Sequence, residues 1–223
     1  MIRLLDESLY FPSPFNVDGF RPLALGGDLS VERLLLAYSN GIFPWQDSPI
    51  VWYSPNPRAI LELNDFRLTK SLKKSIKNKN FSLKIDTNFA LVMQNCKEIK
   101  RKNENSTWIS DYFIESYTRL HKLGLGHSFE IYQGGELVGG LYGVSLGGVF
   151  MGESMFAKVS DASKVAFFYL VEFCKAHNFD FIDAQVQNPH LQSLGVKEIS
   201  KIEYLSRLES SLKKPTLQGK WRL

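Results

Sequence analysis

The chain reads as a mixed α/β protein of the α+β type, and three observations predict it. Three β-rich runs, His127 to Gln133, Glu136 to Leu146 and Val149 to Phe156, are divided only by Gly134-Gly135 and Gly147-Gly148. Two-residue glycine turns between such runs indicate an antiparallel meander. Next, Ala162, Ala166, Leu170 and Cys174 fall on one line of a helix over 160–177, and the apolar run from Phe179 to Val186 behind it reads as another strand. Finally, 223 residues that are 44% hydrophobic can bury a substantial core, either as one domain or as a large domain with a small one attached.

Taken in order, residues 1–62 form the small unit and residues 63–223 the large one. The first is rich in proline and aromatics, as in Phe11-Pro12, Phe43-Pro44-Trp45 and Trp52-Tyr53-Ser54-Pro55, and reads as loop-rich around one helix over 31–40. Ser30 is a suitable N-cap and Gly41 a suitable C′ residue, while Leu34, Leu35 and Tyr38 supply the inward stripe. A second helix starts near Leu68, because Leu68, Leu72 and Ile76 recur at one-turn spacing. Lys70, Lys73, Lys74 and Lys77 occupy the i, i+3, i+4, i+7 positions of its other face, without an acidic partner between them. An extended 81–85 and an apolar helix near 89–96 come next. Trp108-Ile109-Ser110 then leads into a helix with Phe113, Ile114, Tyr117 and Leu120 inward, ending at Gly124. The meander, the long helix and the strand follow, and a last helix runs over 202–212.

Composition narrows the function. No apolar run is long enough to span a bilayer, and the opening Met-Ile-Arg-Leu-Leu-Asp lacks the features of a signal peptide, so the sequence reads as cytoplasmic, without a membrane partner. Cys96 and Cys174 stand alone, and the four histidines show no ligand spacing, which supports neither a disulfide framework nor a metal site. The net charge is only +4, yet from Arg67 to Lys102 every charged residue is basic apart from Asp86 and Glu98. Such clustering reads as a phosphate footprint.

Two places look chemical. Phe150 to Phe156 sets Glu153 and Ser154 between aromatic and thioether side chains, where a charge needs a partner. Asp183 and Gln185 lie two apart in an apolar run, a spacing that aims both at one target from a strand. The order β-β-β-α-β-α resembles the acyltransferase architecture known as the GNAT fold. Cofactor-dependent members hold a pyrophosphate on a glycine-rich loop at the start of the helix after the meander. Here that place reads Ala157-Lys158-Val159-Ser160-Asp161-Ala162-Ser163-Lys164, with no glycine, which argues against coenzyme A, and no cofactor is expected.

The motifs together resemble one family, the leucyl/phenylalanyl-tRNA–protein transferases. The matching blocks include Gly26-Gly27-Asp28-Leu29-Ser30, Gly41-Ile42-Phe43-Pro44-Trp45, Trp52-Tyr53-Ser54-Pro55 with Pro57-Arg58, Thr107-Trp108-Ile109, Gly152-Glu153-Ser154-Met155-Phe156, Ala162-Ser163-Lys164 and Ile182-Asp183-Ala184-Gln185. Tyr53 replaces a usual tryptophan, Ala184 replaces a usual cysteine, and the tail after Leu212 is divergent. The resemblance implies transfer of Leu or Phe, less well Met, from aminoacyl-tRNA to proteins that begin with Arg or Lys, marking them for degradation. A monomer is expected.

It also implies roles. Gln185 receives and orients the incoming amine while Asp183 fixes Gln185; Glu153, with Ser154 beside it, meets the donor's amino group. Leu141, Phe150, Leu170 and Ile182 form the side-chain pocket, Tyr117 completes its rim, and Trp45 and Trp108 are stacking platforms for the terminal adenosine. Lys70, Lys73, Lys74 and Lys77 would meet the tRNA. The alternatives are an acyl-CoA-dependent N-acetyltransferase of the same fold and a non-catalytic tRNA-binding protein. A peptidoglycan-bridge aminoacyltransferase is a further one, although such chains are generally longer and often carry a helical arm not found here.

Overall fold

The computed structural model describes residues 2–99 and 107–222, so Lys100, Arg101 and Lys102 of the basic cluster lie outside the described residues. The small unit contains β1 (Arg3–Leu5), β2 (Pro22–Gly26), α1 (Val31–Ser39), β3 (Phe43–Asp47) and β4 (Ile50–Tyr53). Its strands form a sheet in the order β1-β2-β4-β3, where the sequence suggested loops around one helix. The strands were hidden by their shortness and by prolines: Pro22 opens β2, and Pro44 lies in β3, an edge strand where a missing N–H is tolerated. α1 begins as expected, with the Ser30 hydroxyl accepting from the Arg33 amide.

The large sheet is built from β5 (Arg58–Glu62), β6 (Ser82–Ile85), β7 (Gly126–Gln133), β8 (Glu136–Leu146), β9 (Val149–Ala157), β10 (Phe181–Gln185) and β11 (Lys197–Ile199), in the order β11-β5-β10-β9-β8-β7-β6. β7, β8 and β9 are the expected meander, and β10 returns parallel to β9. The helices are α2 (Lys70–Asn78), α3 (Phe89–Glu98), α4 (Asp111–Lys122), α5 (Ala162–Ala176), α6 (Pro189–Ser193) and α7 (Lys201–Ser211). β5 pairs with β10 and β11, so the backbone changes sheet between Tyr53 and Arg58, ahead of the 62/63 division expected from sequence.

Side-chain alternation along β9 gives the large sheet two apolar faces. Met151 and Phe156 join one core with α1, α3 and α4, whereas Phe150 joins the other with α5. The small unit packs into the first of these through Leu34, Tyr38, Phe43 and Trp52.

One irregularity opens the sheet. β10 pairs with β9 only from Phe181 to Asp183, opposite Val149 to Met151; beyond that point β9 continues along β8 alone. β8 and β9 shift register at Tyr142/Gly143, where a Cβ on Gly143 would lie 2.2 Å from the Met151 carbonyl oxygen. β10 is likewise bulged against β5 between Asp183 and Gln185. Two neighbouring strands therefore diverge at Met151 and Asp183, leaving a gap flanked by side chains from both faces.

Candidate active site

The gap is a cavity of about 480 Å³. One end reaches Trp45, Ile99 and Trp108, on the side of α1, α3 and α4; the other reaches Ser163, Phe167 and His190, on the side of α5 and α6. Between them the walls are Leu141, Phe150, Leu170 and Ile182, each at most 3% exposed. These four residues are core and pocket at once. Glu153, Ser154, Asp183 and Gln185 line the same cavity, so the structure brings together most of the site residues expected from sequence.

Asp183 is fully buried, and both its oxygens are occupied. Arg58 donates to it twice, Nε to Oδ1 at 2.8 Å and a terminal nitrogen to Oδ2 at 2.6 Å. The Tyr204 hydroxyl donates to Oδ2 at 2.8 Å and the Gln185 amide to Oδ1 at 2.9 Å. Arg58 also donates to the Gly41 carbonyl and lies 4.8 Å over Phe43 and 4.4 Å over Tyr204. Burial works against the Arg58 charge, but the Asp183 carboxylate outweighs it and holds the guanidinium above its ordinary value. A carboxylate engaged in this way is a strong anchor. Its anchor point is Gln185, whose φ of +60° lies in the left-handed region. That conformation costs a non-glycine residue about 1 to 2 kcal/mol.

The Gln185 side chain reaches across the gap and donates from Nε2 to Glu153 Oε1 at 2.7 Å. Tyr38 donates to the same oxygen at 2.7 Å, and its hydroxyl is 2.5 Å from that of Tyr117, which reaches Oε2 at only 3.4 Å. Burial raises the Glu153 carboxyl, the Asp183 charge adds to this, and hydrogen bonds from Tyr38, Gln185 and Tyr117 oppose it; the net is a pKa pushed up to about 7. Burial, then the Glu153 charge, keeps Tyr38 and Tyr117 well above the ordinary tyrosine value, so both remain donors.

Tyr117 is a correction to the sequence reading. It is fully buried behind Glu153 and does not form the rim, because α4 turns it inward between Phe113 and Tyr142. His190 lines the cavity, and His127 sits in a buried polar network, with Nδ1 2.8 Å from Asp86. Lys70, Lys73, Lys74 and Lys77 are exposed on α2, away from the gap, and none forms an ion pair among the described residues. The sequence reading assigned no role to Arg58, Tyr38, Tyr204 or Phe167. Arg58 left a signal as part of the Pro57-Arg58 block, and Tyr38 as one of the inward residues of α1.

No group of three or more His, Cys, Asp or Glu among the described residues could hold a metal ion. The polar groups that meet at the gap are the Glu153 carboxylate and the Gln185 amide, with Asp183 behind them, and such groups bind and orient. A parallel strand pair that parts beside its crossover helix, opening a path between the two faces, is the arrangement of the GNAT-like fold, and the large sheet is of that class. Two family models match, one described as Leucyl/phenylalanyl-tRNA protein transferase over residues 60–209 and one as its N-terminal domain over residues 27–56. Similar proteins named leucyl/phenylalanyl-tRNA–protein transferase come from Sulfurimonas denitrificans, 50% identical over 99% of this chain and 96% of that one, and from Legionella pneumophila strain Corby, 49% identical over 98% of each. Among solved structures, L-PGS from Bacillus licheniformis is 14% identical over 72% of this chain and 52% of that one, with a TM-score of 0.39. The chain belongs to the leucyl/phenylalanyl-tRNA–protein transferase family.

Proposed function

We infer that this chain moves Leu or Phe, and less well Met, from aminoacyl-tRNA onto the N-terminal Arg or Lys of a protein, marking that protein for degradation. The observation that carries the mechanism is the Glu153–Gln185 contact where the strands part, with Asp183 locked behind it.

The donor ester is already activated. The acceptor's α-amine, with a pKa near 8, is neutral in roughly a tenth of molecules at pH 7, so full deprotonation would contribute only about 1.4 kcal/mol. Holding two large substrates in register can contribute about 7 to 11 kcal/mol. The residues are suited to that second task. Gln185 Nε2 is committed to Glu153, which leaves its Oε1 to accept from the incoming amine. Glu153 Oε2, with only the long Tyr117 contact, is available to the donor's ammonium. Asp183 acts through Gln185 as a positioning residue. As the amine attacks, the new N–C bond forms, the ester C–O bond breaks, and the amine's proton ends on the leaving ribose oxygen.

Leu141, Phe150, Phe167, Leu170 and Ile182 take the donor side chain, and Trp45 and Trp108 offer rings for the terminal adenosine. Stacking of that kind contributes about 1 to 3 kcal/mol per base. The exposed lysines of α2 suit the acceptor stem, since phosphate contacts position a duplex without reading its sequence. No helix among the described residues is long and apolar enough to cross a membrane. We place the chain in the cytoplasm, with its tRNA donor, as a monomer.

The direct test is to incubate the protein with tRNA carrying labelled Phe and a polypeptide beginning with Arg. Label on the polypeptide's N-terminus is the expected result. Tight binding of tRNA without transfer would favour the non-catalytic alternative.

A further inference from the structure

We propose that the first turn of α5, with Ser163, Lys164 and His190, binds a phosphodiester of the single-stranded 3′ end of the donor RNA, a role that rests on the transfer reading above.

The turn is built for an anion. The amides of Ser163 and Lys164 precede the first i→i−4 bond of the helix, which Val165 donates to Asp161 at 2.9 Å. Free amides at a helix start carry the positive end of the helix dipole. The independent observation is Ser163 itself. It is only 8% exposed and lines the cavity, yet its hydroxyl has no hydrogen-bond partner among the described residues. The residue is held in the wall while its hydroxyl faces the cavity, where a ligand oxygen would give it a partner.

Two lysines and a histidine flank the turn. Lys164 Nζ stands 3.5 Å from Asp161 Oδ1, with its side chain 35% exposed. His190 borders the same end of the cavity, where burial and then the Lys164 charge lower its pKa. Lys79, at the end of α2, donates to the Ser160 carbonyl at 2.8 Å. The opposing charge is Asp161, and its Oδ2 is already held by the Ser75 hydroxyl at 2.7 Å. An arriving phosphate can therefore compete for Lys164 without stripping Asp161 of every partner.

Position selects the ligand. The Ser75–Asp161 and Lys79–Ser160 bonds tie the inner side of α2 to the residues just before α5, so the helix that carries the lysines on its outer face lies beside this turn. From the turn the cavity runs on to Glu153 and Gln185. A duplex resting on α2 with its ester at Glu153 must carry its unpaired end between the two, and the first turn of α5 lies on that path. The phosphate at this place is therefore covalently part of the donor.

Two donors separate this from other roles: Phe-tRNA, and phenylalanyl-adenosine, which presents the same ester without any phosphate. Lys164→Gln and Ser163→Ala should each lower the ratio of kcat/KM for Phe-tRNA to that for phenylalanyl-adenosine, by about tenfold for the lysine. Lys164→Gln should also reduce the log-log salt slope of tRNA binding by about 0.7, the value for one single-strand contact. A ratio unchanged in both variants overturns the site. Failure of the unaltered protein to use either donor would instead overturn the transfer reading.

Discussion

Replacing Glu153 by Gln should make this protein more stable and less active, and the gain should appear only above a definite pH. The Glu153 carboxyl has its pKa pushed up to about 7 from an ordinary 4.5, mainly by burial. At about 1.4 kcal/mol per unit, the gap makes the ionised residue a liability of about 3 kcal/mol. The sign follows from linkage. Below pH 4.5 the group is protonated in both folded and unfolded chains and contributes no difference. As pH rises from 4.5 to 7 the unfolded chain releases its proton first, and folding stability falls until the folded group ionises too. The substituted amide carries no charge to lose. Its oxygen can still accept from Tyr38 and Gln185, and its nitrogen can face the Tyr117 hydroxyl. Denaturant unfolding of both proteins from pH 4.5 to 8.5 should show curves that nearly coincide at the acid end and diverge to about 3 kcal/mol above pH 7. At about 2 to 4 °C per kcal/mol for a chain of this size, the thermal midpoint should rise by roughly 6 to 12 °C at pH 8. Transfer activity should fall, since the donor's ammonium loses its counter-charge. A variant no more stable than the original at pH 8 would refute the reasoning.

Removing Arg58 strands the Asp183 charge, so Arg58→Met should cost about 3 to 5 kcal/mol in urea unfolding, and Arg58→Met with Asp183→Asn should recover most of it; no recovery would show that packing, not charge, sets the cost. Tyr should be a poorer donor than Phe by about one to two orders of magnitude, because Leu141, Phe150, Leu170 and Ile182, which surround the ring, carry no polar atom on their side chains; equal transfer from the same tRNA would mean the side chain binds elsewhere. Exchanging Lys73 and Lys74 for Gln should weaken binding similarly for different tRNAs and flatten the salt dependence by nearly one log-log unit per lost duplex contact, whereas an unchanged slope would leave α2 as a solvated face.

What could be read from sequence was whatever had a local signature. The glycine pairs at 134–135 and 147–148 announced the meander, and Glu153 and Asp183 stood out as charges inside apolar runs. Asp183 and Gln185 stood out by their spacing, but a bulge between them sends Asp183 to Arg58 and Gln185 to Glu153, a contact that joins residues 32 apart and depends on the splay of two strands. Arg58 was missed as the partner of Asp183 because 125 residues separate them, and Pro57-Arg58 on its own reads as a turn. Tyr38 reads as an ordinary inward residue of a helix, and Tyr204 lies in the last helix without a mark of its own; that their hydroxyls end on Glu153 and Asp183 is a property of the assembled core. Ser163 had the same disguise, a small residue at a helix start. The sheet of the small unit was hidden because strands of three to five residues leave too little alternation to detect.

The polar chain at the gap draws on nearly the whole polypeptide. Tyr38 comes from α1, Arg58 from β5, Tyr117 from α4, Glu153 from β9, Asp183 and Gln185 from β10, and Tyr204 from α7. A ribosome must have released α7 before the Asp183 carboxylate can have its full set of donors, so a nascent chain passes through most of its synthesis with the centre unmade. A nick in a connecting segment spares the chemistry only if all six elements stay docked. Aminoacyl esters are the feedstock of protein synthesis, and a catalyst that acquires its grip on them only when finished does not divert them while half-made.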